Sequence, residues 1–141
     1  TVNLNMREIA TMASIIQGEA MYADEMQIIS SVYHNRLKKR MLLQADPTIQ
    51  YIVPGKPRRL YNKDLEIDDP YNTYKYQGLP PGPINNPGLD ALNAAVNPAK
   101  TDYLYFVSNL EGRHTFTKTS DEHNKAKQAM KQKRQLRKRK I

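Results

Sequence analysis

Eight of the nine prolines in this chain fall between Arg40 and Pro87, alongside Gly55, Gly78, Gly82 and five of the nine tyrosines. Proline fixes φ and removes a backbone donor, so neither a long helix nor a central strand runs through a segment so punctuated. The segment is also too rich in tyrosine for a plain linker. Long connections of this kind between regular elements are commonly binding or active-site loops. Regular structure must then lie on either side, and that sets the plan of the fold.

Upstream, Ile9, Met12, Ala13, Ile16 and Ala20 recur at helical spacing, and Asn5 with Glu8 resembles a capping box, which predicts a helix over 5–20. Met26, Ile29, Val32, Tyr33 and Leu37 form a second stripe, predicting a helix over 24–39 and a helical pair joined by a short link. Downstream, Pro87-Gly88 opens a short helix over 89–96 that Asn97-Pro98 closes. Residues 103–107 form the best strand, and a turn at 109–112 with a return strand over 113–118 completes a hairpin. Ser120, Asp121 and Glu122 cap a terminal helix beginning near 122. The expected class is α+β: an N-terminal helical pair, a long Pro/Tyr-rich loop region with short strands, a hairpin and a C-terminal helix.

The formal net charge of +8 looks like a nucleic-acid signal until it is placed along the chain. Residues 118–141 carry 10 Lys/Arg against 2 Asp/Glu, while residues 1–117 carry 12 of each sign. This divides the chain into a body, 1–130, and a polybasic tail, 131–141, expected as a helix end that frays into solvent. A surface for anionic polymer or lipid is its functional alternative. The neutral body and the lack of aromatics among the basic residues argue against nucleic acid as a partner. With no cysteine, a disulfide scaffold, a zinc ribbon and a thiol enzyme are excluded. No apolar run within these residues approaches the roughly 20 needed to span a bilayer, and 1–20 lacks the pattern of a signal peptide.

Glu19 is the leading candidate for chemistry. It falls about 20° from Met12 on the helical wheel, inside the apolar stripe, where a carboxylate is costly to desolvate. Such burial favours a retained proton, as a general acid requires. The structural alternative is a carboxylate paired with Arg36 or a tyrosine hydroxyl. Glu8 shares the face, but capping explains it. His34, His114 and His123 lack the spacing of a helical metal pair, so neither a metal nor a cofactor is expected. Asp46 before Pro47 reads as a turn residue, with a substrate hydrogen bond as the alternative. The polar tips of residues 71–74 suit a hydroxyl- and amide-rich ligand such as a glycan, or pack as a satisfied tyrosine loop.

A set of motifs stands in one order: Ala13-Ser14-Ile15-Ile16-Gln17-Gly18-Glu19, Val32-Tyr33-His34-Asn35-Arg36-Leu37, Leu43-Gln44-Ala45-Asp46-Pro47-Thr48, Pro70-Tyr71-Asn72-Thr73-Tyr74 and Gly78-Leu79-Pro80-Pro81-Gly82. They are followed by Asn86-Pro87-Gly88, Asp102 to Val107, Gly112-Arg113-His114-Thr115-Phe116 and His123-Asn124. In these the chain resembles the catalytic domain of the YceG-like endolytic murein transglycosylases, the MltG family, over about residues 8–127. The resemblance implies a bacterial cell-envelope enzyme that cuts peptidoglycan glycan strands between N-acetylmuramic acid and N-acetylglucosamine, leaving 1,6-anhydro ends. It also implies a longer protein with a cytoplasmic-membrane anchor and a LysM-like subdomain ahead of this region, acting on the outer face of that membrane. Cell-wall synthases are its candidate partners.

Glu19 matches the catalytic glutamate that ends the family's usual Glu-Lys-Glu signature, which reads Gln17-Gly18-Glu19 here. The departure removes a carboxylate and a lysine, so no neighbour is expected to tune Glu19 by charge and the load falls on burial. Polarity and motif position make Gln44, Asp46, Asn72, Tyr74 and His114 the candidates for holding sugar. A lytic transglycosylase can use one carboxylate twice, as acid and then as base, whereas a hydrolytic glycosidase commonly needs two. The competing expectations are a hydrolytic muramidase using Asp46 and a peptidoglycan-binding module without turnover.

Overall fold

In the computed structural model, which describes residues 2–139, Asn5 accepts from the backbone of Glu8 while the Glu8 carboxylate accepts from the backbone of Asn5. This reciprocal cap starts helix α1, Met6–Glu19. A 3₁₀ turn, Ala23–Glu25, leads into α2, Met26–Lys38. Helix α4, Leu89–Val96, meets α1 and α2 with its alanines, Ala91, Ala94 and Ala95, all buried. Those small side chains allow close approach, so Met12, Ile15 and Ile16 of α1 and Ile29 and Tyr33 of α2 close one core around them.

The proline-rich region departs from expectation. Among the described residues it holds no strand; instead it contains helix α3, Asp46–Ile52, and a 3₁₀ turn, Asp64–Glu66. Pro47 lies in the first turn of α3, where its missing N–H has no partner to lose, so it begins a helix rather than ending one. Asp46 is the first residue of that helix and not a turn residue, a position the helix dipole favours for a carboxylate.

Strands β1, Tyr105–Ser108, and β2, His114–Thr117, pair antiparallel with Phe106 opposite Phe116 and Ser108 opposite His114. The turn between them is fixed by Asn109, whose side-chain oxygen accepts from the N–H groups of Glu111 and Arg113. Gly112 takes φ +84 there, a left-handed conformation that suits glycine. Helix α5, Ser120–Arg139, lies on the hairpin with the His123 ring stacked on Tyr105 at 5.0 Å. It does not fray beyond Met130: the helix continues through the basic residues to Arg139. The fold is α+β, with five α-helices and one hairpin among the described residues.

Candidate active site

Glu19 is the last residue of α1, at the end where the helix dipole opposes a negative charge. Its side chain is 18% exposed, and its partner is neither Arg36 nor a tyrosine. The Nε2 of His114 lies 3.4 Å from Glu19 Oε1, an ion-pair distance longer than a tight hydrogen bond. On the other side of the ring, Nδ1 sits 2.9 Å from Glu25 Oε1, and the His114 backbone N–H donates to Glu25 Oε2 at 3.1 Å. Glu25 therefore grips the histidine twice, and the histidine faces Glu19 with its remaining nitrogen.

The imidazole is 2% exposed, with Phe106 edge-on at 5.1 Å and Phe116 at 6.0 Å. Burial alone lowers a histidine pKa, but the hydrogen bonds and charges of Glu19 and Glu25 outweigh it and raise that of His114 above its ordinary 6.5. The protonated ring can donate from both nitrogens at once. Against the expectation that Glu19 has no charged neighbour, His114 of β2 stands beside it from 95 positions away in sequence.

Glu19 and Asp46 together line two adjoining hollows of about 300 and 370 Å³. The first also takes in Gln44, Tyr74, Tyr33 and Arg36, and the second takes in Pro47, Gln50, Tyr51 and Asn85. Three hydrogen bonds set the first wall. Gln44 N–H donates to Thr73 O at 3.1 Å, Ala45 N–H donates to Thr73 Oγ1 at 2.8 Å, and Tyr74 O–H donates to Asp46 Oδ1 at 2.5 Å. Gln44 pays for its place with φ 49, a left-handed conformation unusual for a residue other than glycine and a known mark of functional sites.

Two phenols face this chemistry as neutral donors. Burial, the bond to Asp46 and the charges of Asp46 and Glu19 push the Tyr74 pKa upward. Burial and the charges of Glu19 and Asp46 do the same to Tyr33, whose hydroxyl is buried without a hydrogen-bond partner among the described residues. A buried orphan hydroxyl costs about 1–3 kcal/mol. Tyr33 escapes sequence reasoning because it sits on the apolar stripe of α2. Glu25 escapes it because an acid at a helix start reads as dipole compensation.

The other candidates separate. Gln44, Asp46 and Tyr74 line the first hollow with Glu19. Asn72 is 0% exposed, donates to Leu65 O and Ile67 O, and accepts from Tyr74 N–H, so it holds the loop together. His114 reaches Glu19 rather than the cavity wall. The unusual Gln17 and Gly18 have structural work. Gln17 Oε1 accepts from Gly88 N–H at 2.9 Å, at the start of α4. Gly18 faces Pro47, where a Cβ would stand 2.8 Å from the Pro47 Cβ.

Residues 1–129 match the sequence model of the YceG-like family. The chain belongs to that family. It is 51% identical over 125 residues to the endolytic murein transglycosylase of Bacillus subtilis (strain 168), which covers 89% of this chain and 35% of that protein. To the endolytic murein transglycosylase of Streptococcus pneumoniae (serotype 2, strain D39) it is 35% identical over 130 residues, covering 87% of this chain and 23% of that protein. A crystal structure of a yceG-like protein from Listeria monocytogenes superposes with a TM-score of 0.81 at 48% identity, covering 86% of this chain and 39% of that one. The YceG-like chain described here thus spans about a third or less of the curated relatives it matches. No helix among the described residues is long and apolar enough to cross a membrane.

Proposed function

We propose that this domain is an endolytic peptidoglycan transglycosylase in which Glu19 serves first as acid and then as base. The observation that carries the reading is the place of Glu19 where two hollows adjoin, with a buried histidine on one of its oxygens. A carboxylate with open space on both sides suits a bond in the interior of a strand. Family membership and relatives named as endolytic murein transglycosylases support the same reading.

In this reading Glu19 enters the reaction as the protonated carboxyl. Glu19 passes that proton to the glycosidic oxygen as the bond to the muramic acid C1 breaks. The resulting carboxylate stands beside the developing oxocarbenium-like centre and opposite protonated His114. It then accepts the proton of the sugar's own 6-hydroxyl as that oxygen bonds to C1, closing the 1,6-anhydro ring and restoring the acid. Glu25 and His114 are positioning residues, fixing the carboxylate and balancing its charge between the two proton transfers. Gln44 and Tyr74 supply amide and phenol groups for the sugar.

Asp46 favours a second reading, since it lines both hollows with Glu19 and could activate water. Digestion of purified sacculi, with mass spectrometry of the released ends, separates the two. Anhydro ends support transglycosylation, and reducing ends make the domain a muramidase. The Gln17-Gly18 departure gives little support to a module without turnover, because both residues make scaffold contacts. On the transglycosylase reading the domain acts in the cell envelope, on the outer face of the cytoplasmic membrane as part of a longer anchored protein. Cell-wall synthases are its candidate partners.

A further inference from the structure

The mechanism leaves unused a set of cations on the cavity that holds Glu19. Arg36 is 7% exposed and lines that cavity, yet no carboxylate among the described residues lies within ion-pair distance of it. Its Nε donates to Leu104 O at 2.6 Å and its Nη1 to Leu42 O at 2.7 Å, while Tyr105 lies under the guanidinium at 4.9 Å. Carbonyls and a ring orient the group but leave its charge uncompensated, an expensive arrangement unless an anion arrives. Lys127 and Arg134 of α5 line the same cavity. They also line a groove of about 1030 Å³ that continues along α5 past Lys131 and Arg137. Their separation along the helix is about 10 Å at 1.5 Å per residue, enough for a short extended peptide.

Resting on the transglycosylase reading, we infer that Arg36, Lys127 and Arg134 form an anionic subsite for the carboxylates of the peptide carried by muramic acid. The scissile bond leaves C1 of that sugar and its peptide leaves C3 of the same ring. A muramic acid with C1 at Glu19 therefore delivers its peptide inside the same cavity. The cations make the domain selective for peptide-bearing strands over bare glycan. This also revises the reading of the tail, because Arg134 belongs to the site and not to a detached basic end.

The test is a binding titration on the Glu19→Gln domain with three probes: a glycan oligomer bearing peptides with free carboxylates, the same oligomer with those carboxylates amidated, and the bare glycan. The free-carboxylate form is expected to bind about tenfold more tightly than the amidated form, the equivalent of one favourable charge contact. Lys127→Gln with Arg134→Gln, both on exposed positions, should cut that difference to about threefold or less, with Arg36 still in place, and leave bare-glycan affinity within about twofold. Equal affinity for all three probes, or a preference undiminished in the double variant, overturns the subsite while leaving glycan binding intact. Displacement by methyl phosphate without any carboxylate preference also overturns it, in favour of a phosphate ligand. Failure to bind any of the three overturns both the subsite and the glycan reading. Product release from sacculi by the unsubstituted domain judges the transglycosylase reading separately.

Discussion

Replacing His114 by phenylalanine keeps a planar ring among Phe106 and Phe116 but removes both nitrogens. In the native protein Nδ1 lies 2.9 Å from a Glu25 oxygen, and Glu25 is itself only 7% exposed. At an effective dielectric of about 20, charges at that separation attract by about 6 kcal/mol, and desolvation of both groups offsets part of it. Removing one partner leaves the other carboxylate buried and uncompensated, which costs about 3–5 kcal/mol. The backbone N–H of residue 114 still donates to Glu25, so the lower end of that range is expected. The pH dependence gives the sharper signature. The His114 pKa is raised in the fold, so its stabilising contribution is complete below the unfolded value of about 6.5 and is lost as pH rises through the folded value. Urea unfolding at pH 5.5 and at pH 9 should therefore show a larger loss in His114→Phe at the lower pH. Glu25→Gln, with its shape conserved, should flatten the same dependence. A loss below about 1 kcal/mol that is equal at both pH values would show the ring to be packing alone, and would refute the buried ion chain.

Asn72→Ala removes two donated bonds and one accepted bond from a fully buried site, so it should destabilise the domain by about 2–4 kcal/mol in urea while leaving KM for glycan unchanged. Gly18→Ala gains helix propensity, but its Cβ would meet the Pro47 ring at 2.8 Å; a net loss of about 1–3 kcal/mol is expected, read as a lowered Tm. Deleting residues 135–141, which keeps Arg134, should leave cleavage of a short glycan intact. It should weaken binding to anionic vesicles at low salt only, as measured by co-sedimentation.

The regular elements were legible where one signal dominated. The Asn5–Glu8 box, the alanine-rich run 89–96 and the strand at 103–107 each announced their element to within a residue or two. Helix α3 was missed because a proline weighs against a helix unless it sits in the first turn, and sequence alone did not reveal that it does. The length of α5 was missed because charge density suggested fraying, whereas Lys, Arg, Gln and Leu are all good helix formers. Glu19 stood out as a carboxylate on an apolar stripe, a local conflict that sequence displays. Its partner did not, because the register of one hairpin carries His114 back across 89 residues to Glu25. The loop role of Asn72 was hidden for a related reason: its three hydrogen bonds lie inside the loop, where sequence does not display them.

The central claim is that Glu19 alone performs both proton transfers. Sacculi digested with the unsubstituted domain and with Glu19→Gln, followed by mass spectrometry of the soluble ends, tests it most directly. Acid–base catalysis supplies about 10²- to 10⁴-fold. The account predicts anhydro ends from the native domain and at least a hundredfold fewer from a normally folded Glu19→Gln. Reducing ends from the native domain, or more than about a tenth of the native yield from the variant, would contradict it.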